Sequence, residues 1–144
     1  MADTVPAGND TQESHLPLEG LRVLVVDDDE NERAMVRWIL EADGAVVSTA
    51  GSCAEALAQA TYFFPDAMLV DIGMPVADGF LLVRQLRLRP PDLGGRIPVV
   101  ALTGYMSYQD RETARRSGFQ EYLVKPVDPA ELVQVVRTLA LAQE

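Results

Sequence analysis

The sequence contains few of the residues that most often carry metal or nucleophilic chemistry. Its 144 residues include one cysteine, Cys53, and one histidine, His15. A single cysteine excludes an internal disulfide, and one cysteine with one histidine cannot build a zinc site. His15 lies in a polar N-terminal segment, which argues against a Ser-His-Asp or Cys-His catalytic set. Any chemistry of this chain must therefore depend on other side chains.

Basic residues are also few. Twelve Lys and Arg stand against 22 Asp and Glu, a formal net charge of −10, and Lys125 is the single lysine. Nucleic-acid surfaces need clustered Lys and Arg, so this balance argues against a nucleic-acid partner. The sequence has neither a secretory signal nor an apolar run of the roughly 20 residues that span a membrane. We therefore expect a cytoplasmic protein, or the cytoplasmic end of a larger one, without direct membrane contact.

The chain divides into a leader and one domain. Residues 1–19 hold four acidic residues and no Lys or Arg, and they are predicted to be a flexible leader or linker. In residues 20–144, short apolar runs alternate with amphipathic patterns. Strands are predicted at 21–26, 45–49, 66–70, 97–103 and 119–124, with helices at 31–44, from 52 onward, and at 79–88, 107–117 and 128–142. This alternation predicts an α/β fold, a doubly wound five-stranded parallel sheet of order 2-1-3-4-5, the flavodoxin-like (βα)5 arrangement.

Acidic side chains follow two strands that this order makes neighbours. Asp27 and Asp28 follow the first strand, and Asp71 follows the third. Helix capping explains part of the acidic run after the first strand, but a cap needs only one carboxylate. Three carboxylates in one crevice must take up protons or share a cation. Oxygen ligands without His or Cys favour Mg²⁺ or a similar ion, and Mg²⁺ in turn favours phosphoryl chemistry.

Two further side chains follow the fourth and fifth strands at the same edge. Lys125 ends an apolar strand in a chain that otherwise uses Arg, so a role at a phosphoryl oxygen is favoured over that of an ordinary surface lysine. Thr103 is either an ordinary strand-end threonine or a hydroxyl donor to the same group. The isomer of the Lys125–Pro126 bond is left open by the sequence.

Four segments in this order resemble the receiver domain of two-component response regulators. They are VLVVDDD (23–29), LVDIGMPVADGF (69–80), PVVALTG (98–104) and YLVKPV (122–127). The resemblance implies that Asp71 is the phosphoacceptor, taking a phosphoryl group from a partner's phosphohistidine. It also implies a Mg²⁺ site in which Asp28 binds the ion directly and Asp27 binds it through water, with Asp71 and the backbone carbonyl of Gly73 as further ligands.

The resemblance also implies a switch. Thr103 and Lys125 would contact the phosphoryl oxygens, and Tyr122 matches the family's switch aromatic, although a half-buried strand tyrosine is an equal interpretation. The implied partner is a histidine kinase or a histidine-phosphotransfer domain. Apart from its own phosphorylation and dephosphorylation, the domain is not expected to be an enzyme. Its oligomeric state is uncertain, with a monomer favoured.

Some alternatives stay open. The resemblance is strongest to the C-terminal receiver of a hybrid histidine kinase, with residues 1–19 as the linker, but a stand-alone receiver is nearly as well supported. A receiver-like scaffold that takes no phosphate is a second function. An aspartyl-phosphate phosphatase of the haloacid dehalogenase type is a third, although those enzymes carry the nucleophile after the first strand.

Overall fold

A computed structural model of the chain describes residues 16–73, 79–104 and 108–142. Strands and helices alternate along it, as the sequence predicts. The strands are β1 (Arg22–Val26), β2 (Val46–Ala50), β3 (Ala67–Asp71), β4 (Val99–Thr103) and β5 (Glu121–Val124). The helices are α1 (Glu30–Ala42), α2 (Cys53–Tyr62), α3 (Gly79–Arg87), α4 (Tyr108–Ser117) and α5 (Pro129–Ala142), with a short 3-10 turn at Pro91–Leu93.

The five strands form one parallel sheet in the order β2-β1-β3-β4-β5, which confirms the predicted fold class and strand order. At its carboxyl edge, Val26 is in register with Val70, and Thr103 is in register with Val124. The residues that follow these strands therefore meet at one edge, where the order reverses between β1 and β3.

The core lies on both faces of the sheet. Leu24 and Val26 of β1 point into a cluster with α2, α3 and α4, while Val23 and Val25 point into a cluster with α1 and α5. These four side chains are fully buried, which explains why the sequence of β1 is a continuous apolar run and does not alternate between apolar and polar residues. No helix in the described part of the chain combines the length and the apolar character that a membrane span needs.

The ends of α1 explain a difference from the predicted 31–44. Asp29 caps the helix by accepting hydrogen bonds from the backbone N–H groups of Asn31 and Glu32, at 2.9 and 3.2 Å, so the helix begins one residue early at Glu30. It ends at Ala42, because Gly44 has a φ of +99°, outside the helical region.

Packing also reaches into the predicted leader. Leu18 is fully buried in the core beneath α1 and α5, and its backbone N–H donates to the carbonyl of Asp43 at 2.8 Å. The packed chain therefore extends two residues before the predicted domain start at Gly20. Residues 1–15 of the predicted leader lie outside the described residues.

Candidate functional site

The three predicted carboxylates meet at the carboxyl edge of the sheet. Asp27 and Asp28 follow β1, and Asp71 is the last residue of β3. One carboxylate oxygen from each lies within 4.8 Å of the other two. Asp27 is 1% exposed and Asp71 is half-buried, whereas Asp28 is open to solvent. The structure therefore brings Asp71 beside Asp27, from which it is separated by 44 positions in the chain.

Backbone contacts hold this end of β1 in place. The Asp27 N–H donates to the carbonyl of Ala50 at 3.1 Å, and the Asp27 carbonyl accepts from Arg33 Nη1 at 2.7 Å. One carboxylate oxygen of Asp27, Oδ1, accepts from the Asp29 N–H at 2.9 Å. Asp71 Oδ1 accepts in the same manner from the Gly73 N–H at 2.9 Å. The second oxygen of each of these two carboxylates, Oδ2, is thus left for other contacts in the crevice.

Lys125 reaches into this crevice from the end of β5. Its Nζ lies 3.4 Å from Asp71 Oδ2 and 3.7 Å from Asp27 Oδ2, and it makes an ion pair with Glu32 of α1. Its backbone N–H donates to the Thr103 carbonyl at 2.7 Å, which ties the end of β5 to the end of β4. The Lys125–Pro126 peptide bond is cis.

The two predicted switch residues lie on adjacent strands. Thr103 is buried at the carboxyl end of β4, and Tyr122 is half-buried on β5, where its ring packs against the α2, α3 and α4 side of the core. The guanidinium of Arg111 on α4 lies over the Tyr122 ring, 5.1 Å from its centroid. In the segment IGMPVADG, residues 74–78 lie outside the described residues, so the chain after β3 is described only as far as Gly73, and again from Gly79.

The crevice raises the pKa of Asp27 to about 7. Burial is the main cause, because it disfavours the charged form, and a hydrogen bond with Glu32 and the charge of Asp71 act in the same direction. The backbone N–H of Asp29 and the ammonium of Lys125 oppose the rise in this pKa without cancelling it. Desolvation of Asp27 is therefore the dominant effect on its ionisation in this crevice.

The pKa values of Lys125 and Glu32 shift in the directions expected for an ion pair. Burial alone would lower the pKa of Lys125, but its hydrogen bond to Glu32 and the charges of Asp71 and Asp27 outweigh burial and raise it. The hydrogen bond from Lys125, followed by one with Asp27, lowers the pKa of Glu32. Lys125 is thus held as an ammonium ion at the crevice.

Glu32 is a site residue that the sequence interpretation missed. It stands three residues after Asp29, the spacing of a capping box, in which its carboxylate would accept from the backbone N–H of Asp29. That N–H donates to Asp27 instead. The spacing alone therefore indicates a helix cap, and only the fold shows that Glu32 faces the lysine.

Comparison with known proteins identifies the family. The family model described as "Response regulator receiver domain" matches residues 23–137 of the chain. The chain belongs to this family. The resemblance noted in the four sequence segments is thereby confirmed for the receiver domain itself.

Three relatives illustrate the range of proteins that carry such a domain. The receiver domain is 42% identical over 125 residues to the uncharacterized 14.6 kDa protein in the sodA1 3' region of Leptolyngbya boryana, covering 87% of this chain and 94% of that protein. It is 45% identical over 118 residues to the transcriptional regulatory protein PrrA of Mycobacterium leprae, covering 82% of this chain but only 49% of PrrA. The chain thus spans about half the length of PrrA.

The third is a solved structure, the receiver domain of the sensor histidine kinase PA1611 from Pseudomonas aeruginosa. It is 30% identical, with a TM-score of 0.75, and the match covers 84% of this chain and 98% of that one. That protein was determined with a magnesium ion coordinated in its active-site cleft.

The crevice of this receiver domain suits a magnesium ion. Its donors are carboxylate oxygens, from Asp27, Asp28 and Asp71, which are the hard ligands that Mg²⁺ prefers. Burial is the main cause of the raised pKa of Asp27, and the charge of Asp71 adds to it, so a cation bound here would offset both effects. An acidic pocket of this kind is what the family uses to bind Mg²⁺.

Proposed function

We propose that this receiver domain is the phosphoacceptor of a His-Asp phosphorelay, with Asp71 as the residue that takes the phosphoryl group. One observation carries the proposal: Asp71 Oδ2 lies 3.4 Å from Lys125 Nζ and beside the carboxylates of Asp27 and Asp28. A nucleophilic carboxylate, a fixed cation and a set of metal ligands are the groups that phosphoryl transfer requires.

In the proposed reaction, a carboxylate oxygen of Asp71 attacks the phosphorus of a partner's phosphohistidine. A P–O bond forms, the P–N bond breaks, and the imidazole nitrogen keeps the electron pair. Lys125 then neutralises charge on a phosphoryl oxygen, and the hydroxyl of Thr103 donates to another. Asp28, Asp71 and the Gly73 carbonyl would hold a Mg²⁺ ion directly and Asp27 would hold it through water, and the ion would supply further charge neutralisation.

The output of the proposed phosphorylation is a change of surface. Movement of Thr103 toward the phosphoryl group shifts the end of β4, and Tyr122 on the neighbouring strand follows. The cation–π contact of Tyr122 with Arg111 carries this movement to α4. The face formed by α4, β5 and α5 would then be read by a partner.

The setting of the domain is part of the proposal. We propose a cytoplasmic domain with no enzymatic activity on external substrates, whose donor is a histidine kinase or a histidine-phosphotransfer domain. Placement at the C-terminus of a hybrid histidine kinase is supported by the likeness to PA1611, whereas PrrA is a transcriptional regulator. Mass spectrometry of the native gene product distinguishes a single receiver from a larger kinase.

The experiment that tests the function is phosphorylation of the purified protein. We expect incubation with Mg²⁺ and a small acyl phosphate to add the mass of one phosphoryl group, and Asp71→Asn to abolish the adduct. Asp92→Asn is the matched control, because Asp92 is exposed at the 3-10 turn and should leave the adduct unchanged.

Other outcomes separate the alternatives. Absence of an adduct in the wild type, both with the acyl phosphate and with a cognate phosphohistidine protein, would contradict the proposal and favour the scaffold. An adduct mapped by peptide analysis to Asp27 or Asp28 would favour a phosphatase of the haloacid dehalogenase type.

A further inference from the structure

Glu32 occupies an unusual place for an acidic side chain. It projects from the first turn of α1 into the phosphoacceptor crevice and makes an ion pair with Lys125, from which it is separated by 93 positions in the chain. Lys125 is the single lysine of the protein and the cation nearest to Asp71 in the described crevice. A carboxylate that holds this ammonium group therefore acts directly on the proposed chemistry.

The local backbone leaves Glu32 available for this contact. Asp29 caps α1 with its own side chain, and its backbone N–H donates to Asp27 Oδ1. The N–H that would bind Glu32 in a capping box is therefore already used. The carboxylate of Glu32 turns to Lys125 and to Asp27 instead.

The lysine contacts three carboxylates at unequal distances. Its ammonium is hydrogen-bonded to Glu32, whereas Asp71 Oδ2 and Asp27 Oδ2 are 3.4 and 3.7 Å away. Because its hydrogen bond is to Glu32 and its contacts with the other two carboxylates are longer, moving this ammonium group toward a phosphoryl group on Asp71 would weaken its contact with Glu32. When Asp71 carries a phosphoryl group, Glu32 and the phosphoryl oxygens compete for the same cation.

We propose that Glu32 is a positioning residue that holds Lys125 on the α1 side of the crevice in the resting domain. Phosphorylation then requires Lys125 to leave Glu32, so this ion pair weakens binding of the phosphoryl group and favours its loss. The inference rests on the proposed function, because it concerns competition for Lys125 between Glu32 and a phosphoryl group on Asp71.

The test uses beryllium fluoride, a tetrahedral analogue of a phosphoryl group, with Mg²⁺ in excess. We expect Glu32→Gln to lower the half-saturating beryllium concentration roughly fivefold, the change that corresponds to loss of a partly exposed ion pair. Binding is followed by amide chemical shifts. An unchanged or raised half-saturating concentration would overturn the proposal.

Two variants separate position from charge. Glu30→Gln removes the same charge from the same helical turn, and Glu30 is exposed and is not among the ion-pair partners of Lys125 in the described structure. We expect it to change the half-saturating concentration less than about twofold. Glu32→Asp keeps the charge on a shorter side chain, and we expect an intermediate value. An equal effect of Glu30→Gln and Glu32→Gln would contradict the positioning role.

The single lysine supplies a direct readout. Protein labelled with ¹⁵N-lysine gives one side-chain ammonium signal, so no assignment is needed. We expect the signals of wild type and Glu32→Gln to differ in the free proteins and to coincide once beryllium fluoride is bound. Signals that differ equally in both states would mean that Lys125 stays on Glu32, which contradicts the proposal.

These outcomes are distinguishable from failure of the proposed function. If wild type, Glu32→Gln and Asp71→Asn all show no beryllium fluoride binding and no phosphoryl adduct, the receiver function itself is wrong. If wild type binds through Asp71 and the Glu32 variants behave as wild type, only the positioning role is wrong.

Discussion

Asp27 shows how one buried carboxylate sets the electrostatics of the site. Its side chain is 1% exposed, and it accepts a backbone hydrogen bond while facing Asp71 and Lys125. Burial disfavours its charged form more strongly than Lys125 and the Asp29 N–H favour it, so its pKa rises to about 7. In the absence of a cation, this side chain is neutral over much of the acidic pH range.

The stability of the metal-free protein should therefore depend on pH through Asp27. Between about pH 4 and 7, the folded state keeps a proton that the unfolded state has released. The free energy of unfolding should consequently fall as the pH rises across this window and level off above it. We expect Asp27→Asn to flatten the slope, as measured by urea unfolding at several pH values with a chelator present.

The matched control for this measurement is Asp92→Asn, an exposed carboxylate outside the crevice. It should keep the slope of the wild type. An identical slope in wild type and Asp27→Asn would contradict the assignment of this pH dependence to Asp27.

At the scale of elements, the side chain of Arg87 connects α3 to two other parts of the fold. Arg87 ends α3, and its guanidinium donates to the Gly118 carbonyl at 2.7 Å, the Gly95 carbonyl at 3.2 Å and Gln120 Oε1 at 2.9 Å. These acceptors lie in the loop before β4 and in the connection from α4 to β5. Gly118 has a φ of +109°, and a Cβ there would lie 2.8 Å from Arg87 Cγ. The arginine thus positions α4 and β5 relative to α3.

Removal of this arginine should destabilise the fold. We expect Arg87→Met to lower the free energy of unfolding by about 2 kcal/mol, because two half-buried carbonyls lose their charged donor. The measurement is urea unfolding monitored by circular dichroism. Arg84→Met, an exposed arginine on the same helix, is the matched control and should cost less than about 0.5 kcal/mol. Equal losses would show that only helix propensity or net charge matters.

At the scale of the whole molecule, the net charge of −10 is concentrated in part at one edge of the sheet. The two apolar clusters that cover both faces of the sheet do not depend on that edge. A cation bound by the carboxylates would therefore add to the stability that these clusters supply. The dependence of the free energy of unfolding on metal concentration therefore tests the proposed site through the stability of the whole molecule.

Mg²⁺ should stabilise the folded protein. At a concentration one hundred times its Kd, the expected gain is about 2.7 kcal/mol in the free energy of unfolding. Thermal unfolding followed over a series of MgCl₂ concentrations checks this, and Asp28→Asn should reduce the gain. NaCl at matched ionic strength is the control, and an equal effect of NaCl would show charge screening in place of binding.

Most elements of the fold could be predicted from local patterns. The first strand is an apolar run of the kind that parallel sheets bury on both faces, and Asp128, Pro129 and Glu131 predict where the last helix begins. The errors lie at ends of elements. The second strand is shifted by one residue to Val46–Ala50, because pairing with β1 decides which residues join the sheet.

The candidate site was predictable to a similar extent. The carboxylates and Lys125 could be placed at one edge, because all strands of a parallel sheet end there. Glu32 could not be placed there from the sequence, because its spacing from Asp29 is that of an ordinary helix cap. The burial of Leu18 could not be predicted either, since its packing partners come from α1 and α5, which lie further along the chain.

Local patterns in the sequence were enough to establish the order of strands and helices, and hence which side chains follow the strands. They were enough because hydrophobic periodicity and helix caps are local properties of the chain. The tertiary structure alone decided that Lys125 pairs with Glu32, that Asp27 is buried enough to raise its pKa, and that Arg87 reaches Gly118. Each of these depends on distances between residues far apart in the chain, which only the packing of helices on the sheet establishes.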